Sequence, residues 1–196
     1  FARHGAEVTI IAREFYHDTT SAGAAAFWRP YFVPNTSEED VARWSGMTMA
    51  LYRQLLEAGL GETCGLHFIR GTELSAVKQP TPLWAKYAID FEHVSPEDLR
   101  QRYGPGYADA LRFTSVIADP TYLMPWFQHQ LRALHARFVQ AEVKDLDALR
   151  GRFDVVANCS GLGAGALAAD ADVLPVRGQV LKVFAPGARE WVVDMD

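Results

Sequence analysis

The α/β character of this chain is clearest near its start, in residues Glu7–Tyr31, EVTIIAREFYHDTTSAGAAAFWRPY. Val8–Ala12 is a short apolar, β-branched run, which predicts a buried parallel strand. Arg13 and Glu14 follow where that strand should end. Because ligands of open α/β sheets bind at the carboxyl ends of strands, the stretch predicts a ligand site beside these two residues.

The residues after this strand have the properties that a dinucleotide needs. They are the hydroxyl cluster Thr19, Thr20 and Ser21, the small residues Ala22–Ala26 and the bulky pair Phe27–Trp28. A carboxylate can accept from both hydroxyls of a ribose, while hydroxyls and backbone N–H groups suit a pyrophosphate. Small side chains let a flat ring lie against the backbone. A solvated ion pair at Arg13–Glu14 and a solvated loop at Thr19–Ser21 stay open as alternatives.

A second strand end with similar features lies late in the chain. The hydrophobic run Phe153–Gly161 predicts a buried strand, and Asn158–Gly165 (NCSGLGAG) predicts a turn into a small-residue helix. Glycines at such a turn allow a phosphate or ring to approach the backbone. The alternative is a tight packing turn between strand and helix. In a doubly wound sheet, the two strand ends would converge on one crevice.

Composition excludes several other classes of protein. The chain has 196 residues, of which 49% are hydrophobic and 22% charged, with a net charge of −5. We therefore expect a soluble globular protein, with no nucleic-acid partner and no membrane span. Cys64 and Cys159 are far apart, which predicts free thiols in a reducing compartment. The six histidines are scattered, so we expect no metal site.

The predicted helices and strands alternate at the two ends of the chain and are mixed in its middle. Helices are predicted from Ser37 to about Gly59, from Ser95-Pro96 to Gly104, and from Asp119-Pro120 through Leu134. The other predicted strands are Leu66–Ile69, Gly71–Ser75, Tyr87–His93, Ala110–Ile117, Phe138–Val143 and Val176–Phe184. The pattern predicts a nucleotide-binding domain interrupted by a second domain. The first residues and the last ones favour an internal piece of a longer protein.

Several segments of the sequence match the pattern of a known protein family. The chain resembles the FAD-containing D-amino-acid oxidases and D-aspartate oxidases from about Glu7 to Pro186. The segments that carry the resemblance are Val8–Pro30, Trp84–Tyr107, Tyr122–Leu131, and Asp154–Gly163 continuing to Pro175–Val183. The resemblance implies an α/β fold with a Rossmann-like FAD-binding domain, residues 1–31 and 136–170. A mixed α+β substrate and interface domain, residues 32–135 and 171–196, would interrupt it.

The resemblance also implies roles for individual residues. The implied cofactor contacts are Arg13 and Glu14 at the adenosine ribose, Thr19, Thr20 and Ser21 near the pyrophosphate, Ala25, Ala26 and Phe27 along the flavin ring, Val143 at the adenine, and Ser160 and Gly161 beside the cofactor. Arg29 falls where the family has a residue lining the substrate pocket, and its charge favours an anionic substrate side chain unless it faces solvent. No catalytic acid or base is implied in this span.

The chain departs from the family pattern in several places. Ala26 stands where the family usually has glycine, so its methyl group would crowd the ring. The N-terminal glycine motif lies outside the span. So do the substrate-binding tyrosines, the arginine that clamps the substrate carboxylate and the C-terminal flavin segment. The span would therefore hold about half of the cofactor site and only the edge of the substrate site.

The activity implied by the resemblance is the oxidative deamination of D-amino acids. A hydride passes from the α-carbon to the flavin, the imino acid hydrolyses to a 2-oxo acid and ammonia, and dioxygen is reduced to hydrogen peroxide. The alternatives are a D-aspartate-, glycine- or sarcosine-type amine oxidase or dehydrogenase of the same family, and a non-catalytic fragment unable to hold FAD. The expected partners are a D-amino acid and dioxygen, with a homodimer left open. The expected location is cytoplasmic or peroxisomal.

Overall fold

The structure, a computed structural model, describes residues 1–24, 26–31, 35–181 and 183–195, without the side chain of His17. It divides into two compact units, each made from two parts of the chain. Unit 1 is Phe1–Ala24 with Met124–Lys182, and unit 2 is Ala25–Leu123 with Val183–Asp196. Assigning FAD and substrate binding to separate domains, with the bounds expected from the sequence, stays a prediction.

Helices and strands occur in both units. In chain order they are β1 (Thr9–Ala12), α1 (Glu38–Glu57), α2 (Gly61–Cys64), β2 (Leu66–Ser75), β3 (Ile89–His93), α3 (Pro96–Tyr103), β4 (Asp109–Ala118), α4 (Pro120–Ala133), β5 (Arg137–Gln140), α5 (Gly163–Ala168) and β6 (Glu190–Asp194). Short 3₁₀ turns occur at Ala2–His4, Tyr16–Asp18, Thr20–Gly23, Leu83–Tyr87 and Asp147–Leu149. The mixed α/β class predicted from the sequence is confirmed.

The helix starts follow the capping residues that the sequence indicates. The hydroxyl of Ser37 accepts from the backbone N–H of Asp40 at 3.1 Å, and three acidic residues occupy the first turn of α1. Ser95 caps α3 in the same way, with Pro96 at the first helical position. The predicted beginnings of α1, α3 and α4 are therefore confirmed.

Unit 2 is organised around a four-stranded sheet with the strand order β3-β4-β2-β6. Strand β4 is antiparallel to both β3 and β2, whereas β6 runs parallel to β2. Phe113 of β4 is fully buried, and the rings of Trp84, Phe91 and Trp191 pack around it with centroids 5.0–6.0 Å away. These contacts form an aromatic core on this sheet.

The prediction of two short strands in residues 66–75 is wrong, because Leu66–Ser75 is one continuous strand. Gly71 pairs with Phe113 inside the ladder instead of forming a turn. A β-carbon at this position would overlap the ring of Trp191, so the glycine makes room for an aromatic side chain. Strand β6, which supplies Trp191, was not indicated by the sequence pattern.

The predictions of strands at Phe153–Gly161 and Val176–Phe184 are also wrong for the described residues. Phe153 forms an isolated bridge with Arg150, and the rest of both segments lies outside any described sheet. Val155 is 76% exposed and Phe184 95% exposed. An apolar pattern predicts burial, but a strand also needs a neighbour to pair with, and the sheet of unit 1 has only β1 and β5 among the described residues. Strand β5 ends at Gln140, which leaves Val143 beyond it.

Candidate functional site

Arg13 and Glu14 follow directly after β1 at one edge of the unit 1 sheet, and Val143 comes shortly after the end of β5. Strands β1 and β5 are parallel, with Ala12 opposite Gln140, so both strands end at this edge. The side-chain amide of Gln140 donates to the carbonyl oxygen of Arg13 at 3.1 Å, which joins the two strand ends. The structure therefore places Arg13 and Glu14 at the edge where ligands bind in parallel sheets.

The carboxylate of Glu14 is accessible at this edge. Arg13 Nε lies 3.3 Å from Glu14 Oε1, and their side chains are 68% and 44% exposed. An exposed ion pair of this kind contributes at most about 1 kcal/mol, so a ligand can replace it at little cost. The structure thus shows the solvated ion pair, and the ribose contact of Glu14 stays a prediction.

The hydroxyl cluster follows β1 in two consecutive 3₁₀ turns. Thr19 donates its hydroxyl to the carbonyl oxygen of Tyr16 at 2.7 Å, which fixes its rotamer. Thr20 and Ser21 are exposed at the start of the second turn. Two hydroxyls of the cluster are thus accessible to an anionic group, while the third stabilises the loop.

Ser160 and Gly161 form a tight turn before α5. The side-chain oxygen of Asn158 accepts from the hydroxyl of Ser160 at 2.8 Å, and the amide of Gly163 donates to the Ser160 carbonyl at 3.1 Å. Gly161 has a φ of 60°, a conformation that favours glycine. The hydrogen bonds described for this turn remain within residues 158–164, and none joins it to Glu14 or Val143.

In unit 2, the segment Ala26–Trp28 is held along β4. The amide of Ala118 donates to the carbonyl of Ala26 at 2.9 Å, and the amide of Trp28 donates to the carbonyl of Val116 at 2.7 Å. The ring of Phe27 packs on Trp191 with centroids 5.0 Å apart. Ala25, the other predicted flavin contact here, lies outside the described residues. The backbone predicted to face the flavin ring is therefore rigidly placed in its own unit.

A groove of about 310 Å³ lies beside this segment, within unit 2. Helix α1 forms its other wall, and the indole N–H of Trp28 donates to the carbonyl of Ser45 at 2.9 Å across the base. Burial, and to a lesser extent Cys64, raise the pKa of Tyr52, so its hydroxyl stays protonated at neutral pH. The lining residues are Ala26, Phe27, Trp28, Arg29, Pro30, Trp44, Ser45, Thr48, Tyr52 and Ala118.

Arg29 does not face solvent as a free cation. Its guanidinium donates through Nε and Nη2 to the carboxylate of Glu73, and the two side chains are only 13% and 5% exposed. Glu73 was not among the residues predicted from the sequence. The second half of β2, Gly71–Ser75, is buried, but its sequence GTELS is mostly polar or small, so the pattern gave no signal of a buried carboxylate there.

Each unit, taken by itself, presents groups of the kind that part of an FAD molecule requires. A carboxylate at the end of a parallel strand pair suits the ribose hydroxyls, and the exposed hydroxyls of Thr20 and Ser21 suit a pyrophosphate. Ala26 is partly exposed along a fixed backbone, where a planar ring can pack. Such groups beyond the ends of parallel strands are typical of dinucleotide-binding α/β proteins.

Comparison with known families identifies which group of such proteins this is. The family model described as FAD dependent oxidoreductase (DAO) matches residues 1–195. The chain therefore belongs to the DAO family of FAD-dependent oxidoreductases, and the cofactor of this family is FAD.

The similar proteins include oxidases of D-amino acids. Human D-aspartate oxidase is 30% identical over 95% of this chain and 55% of its own length. The D-amino-acid oxidase of Rubrobacter xylanophilus is 34% identical over 97% of this chain and 56% of its own length. The chain thus spans about half the length of the curated relatives it matches. A glycine oxidase structure from Bacillus cereus is 18% identical with a TM-score of 0.48, covering 74% of this chain and 42% of that one.

The described residues contain no group of three or more His, Cys, Asp and Glu side chains placed to hold a metal ion. Among the helices of the described residues, none has the length and hydrophobicity required to span a bilayer. The cytoplasmic or peroxisomal location and the homodimer stay predictions.

Proposed function

We propose that this chain is part of an FAD-dependent oxidase that converts D-amino acids to 2-oxo acids, ammonia and hydrogen peroxide. The observation that carries the proposal is the accessible Glu14 carboxylate at the shared end of β1 and β5, in a chain of the DAO family. Relatives named D-aspartate oxidase and D-amino-acid oxidase support the substrate class.

The residues of this span bind and orient the cofactor in the proposed function. Glu14 accepts from the ribose hydroxyls, with Arg13 beside the adenosine. Thr20 and Ser21 donate to the pyrophosphate, with Thr19 holding their loop. Val143, Ser160 and Gly161 complete the contacts proposed for unit 1.

The contacts proposed in unit 2 concern the flavin ring. Ala26 and Phe27 lie along the ring and exclude water from one face, and the proposed role of Ala25 is the same. When bound, FAD accepts the hydride of the substrate α-carbon and passes the electrons to dioxygen. The chain supplies no acid or base for this step in the proposal, because orientation and desolvation are its contribution.

The first test is the visible absorbance of the purified protein, together with peroxide release from a panel of D-amino acids. A flavin spectrum and peroxide release are expected. A colourless protein that takes up no added FAD would support the alternative of a non-catalytic fragment.

The second test compares two glutamates at opposite ends of β1. Glu14→Gln removes the charge at the carboxyl end, and we expect FAD to bind about tenfold to a hundredfold more weakly, because hydrogen bonds to charged groups are strong. Glu7→Gln is the matched control, because Glu7 is exposed at the amino end and pairs with Arg137. Equal FAD affinity of the two variants, measured by flavin fluorescence, would contradict the proposed role of Glu14.

A further inference from the structure

The ion pair of Arg29 and Glu73 is built into the interior of unit 2. Two guanidinium nitrogens of Arg29 donate to the two carboxylate oxygens of Glu73, and the Nη2–Oε2 distance is 3.1 Å. Glu73 lies in β2 between Leu111 of β4 and Val193 of β6, so the sheet fixes its position. Both side chains are largely removed from water.

The remaining donors of Arg29 are also mostly occupied. Nη1 donates to the carbonyl oxygen of Pro30 at 2.9 Å, and Nη2 lies 3.3 Å from the sulfur of Met195. The guanidinium carbon lies 5.6 Å from the ring centroid of Tyr31. Because a guanidinium has five N–H donors in a fixed fork, this set leaves little freedom for it to turn toward a ligand.

The pair has no net charge, and this changes what the groove beside Arg29 can recognise. An unpaired arginine would attract the side-chain carboxylate of D-aspartate or D-glutamate. With Glu73 in place, that carboxylate would meet a neutralised guanidinium and a second negative charge a few ångströms behind it. Like charges in a site removed from water oppose each other strongly. Apart from Arg29, the groove is lined by uncharged residues, among them the aromatic Phe27 and Trp44 and the hydroxyl-bearing Thr48.

We infer that Glu73 is a positioning residue for substrate choice: by neutralising and orienting Arg29, it makes this wall select D-amino acids with neutral side chains over D-aspartate and D-glutamate. The inference rests on the proposed function and specifies its substrate class. In the sequence, Arg29 alone favours substrates with anionic side chains, so the inference reverses that expectation.

The decisive variant is Glu73→Gln, which keeps the side-chain shape and removes the negative charge. The measurement is kcat/KM for D-alanine and for D-aspartate with the FAD-loaded protein. The native protein should favour D-alanine, and in the variant the ratio should shift toward D-aspartate by about tenfold or more, mainly through KM for D-aspartate. Glu92→Gln is the matched control, because Glu92 pairs with Arg70 and Arg112 and is about half exposed. It should leave the ratio unchanged.

A second variant covers the case in which Glu73→Gln fails to fold. Arg29→Gln leaves the carboxylate of Glu73 without its cation, so D-aspartate should be rejected about tenfold more strongly than by the native protein. Binding of succinate, an unreactive dicarboxylate, gives a readout other than turnover through the fluorescence of Trp28 and Trp44. Succinate should bind more tightly to Glu73→Gln and more weakly to Arg29→Gln.

An unchanged substrate ratio in both variants would overturn the inference, as would a native protein that prefers D-aspartate. The conservative variant Glu73→Asp keeps the charge and should keep the neutral preference; if it behaves like Glu73→Gln, charge is not the cause. A native, FAD-loaded protein that oxidises no D-amino acid would instead overturn the proposed function.

Discussion

Strand β4 and the segment Phe153–Gly161 were both predicted to be strands from their apolar residues, but they have different structures. Both begin near an aspartate and continue through a run rich in apolar residues. In β4, Val116 is fully buried, and the strand pairs with β3 on one side and β2 on the other. In Phe153–Gly161, Val155 is exposed, and the only pairing is one bridge at Phe153.

The difference shows that an apolar sequence pattern is not sufficient to form a strand. The pattern makes burial favourable, by about 25 cal/mol for each Å² of apolar surface. A ladder, however, needs backbone partners on a neighbouring strand. Segment Val176–Phe184 gives the same lesson, since it too alternates around apolar residues and is exposed in its described part.

The largest expected contrast is between two phenylalanines. Phe113→Ala removes a fully buried ring and should lower the free energy of unfolding by about 3–5 kcal/mol. Phe184→Ala removes an exposed ring and should change it by at most about 0.5 kcal/mol. Urea denaturation of both variants tests the contrast, and similar losses would mean that Phe184 is buried in solution.

The second contrast is between a glycine in a buried strand and a glycine in an exposed segment. Gly71→Ala places a methyl group against the ring of Trp191 and should cost about 3 kcal/mol, at the upper end of overpacking penalties. Gly178→Ala has open space around its β-carbon and should be neutral or slightly stabilising. The loss of stability is measured by thermal denaturation. A small loss for Gly71→Ala would show that the ring of Trp191 moves easily.

The third contrast uses the aspartates that precede the two apolar runs. Burial raises the pKa of Asp109, but hydrogen bonds from the Gln79 amide, His93 and the Ala110 amide outweigh it, so its pKa is lowered. We expect Asp109→Asn to cost about 2 kcal/mol at neutral pH, whereas exposed Asp154→Asn should cost little.

The pH dependence of Asp109 follows from the direction of this shift. A carboxyl with a folded pKa below its unfolded value contributes its full stability above the unfolded value, about 3.9. That contribution is lost as the pH falls from there through the folded pKa. The difference in unfolding free energy between native protein and Asp109→Asn should therefore shrink below about pH 4. A difference that stays constant down to pH 2 would contradict this assignment.

The smallest contrast replaces a valine by threonine in each run. Val116→Thr replaces a buried methyl group with a hydroxyl of nearly the same size and should lower the free energy of unfolding by about 1–2 kcal/mol. Val155→Thr leaves the hydroxyl in water and should be nearly neutral. Equal costs in calorimetry would place Val155 in a packed environment and remove the difference between the two segments.

The sequence predicts the locally encoded features of this fold well. Ser37, Ser95-Pro96 and Pro120 mark helix starts because capping and proline geometry depend on adjacent residues. Features that depend on distant partners were harder to predict. Leu66–Ile69 and Gly71–Ser75 were predicted as two strands because the side chain that Gly71 accommodates, Trp191, is far away in sequence. The strand at Phe153–Gly161 was expected from its pattern alone.

The candidate site follows the same division. Arg13 and Glu14 were expected at a strand end, and β1 does end just before them. Arg29 was selected by resemblance, but its partner Glu73 lies 44 residues later, on β2, so the neutral charge of the pair could not be anticipated. The cofactor contacts of the individual residues stay predictions.

The parallel pairing of β2 with β6 has a consequence for synthesis of the chain. The indole N–H of Trp191 donates to the carbonyl of Ile69, 122 residues earlier. During translation, β2 is therefore synthesised long before β6. One edge of β2 stays unpaired while the intervening residues, which include most of unit 1, are synthesised. Contacts so distant in sequence slow folding, and an open strand edge can pair wrongly in the meantime. Because the sheet is completed late, we expect the yield of folded protein to increase when chaperones are present.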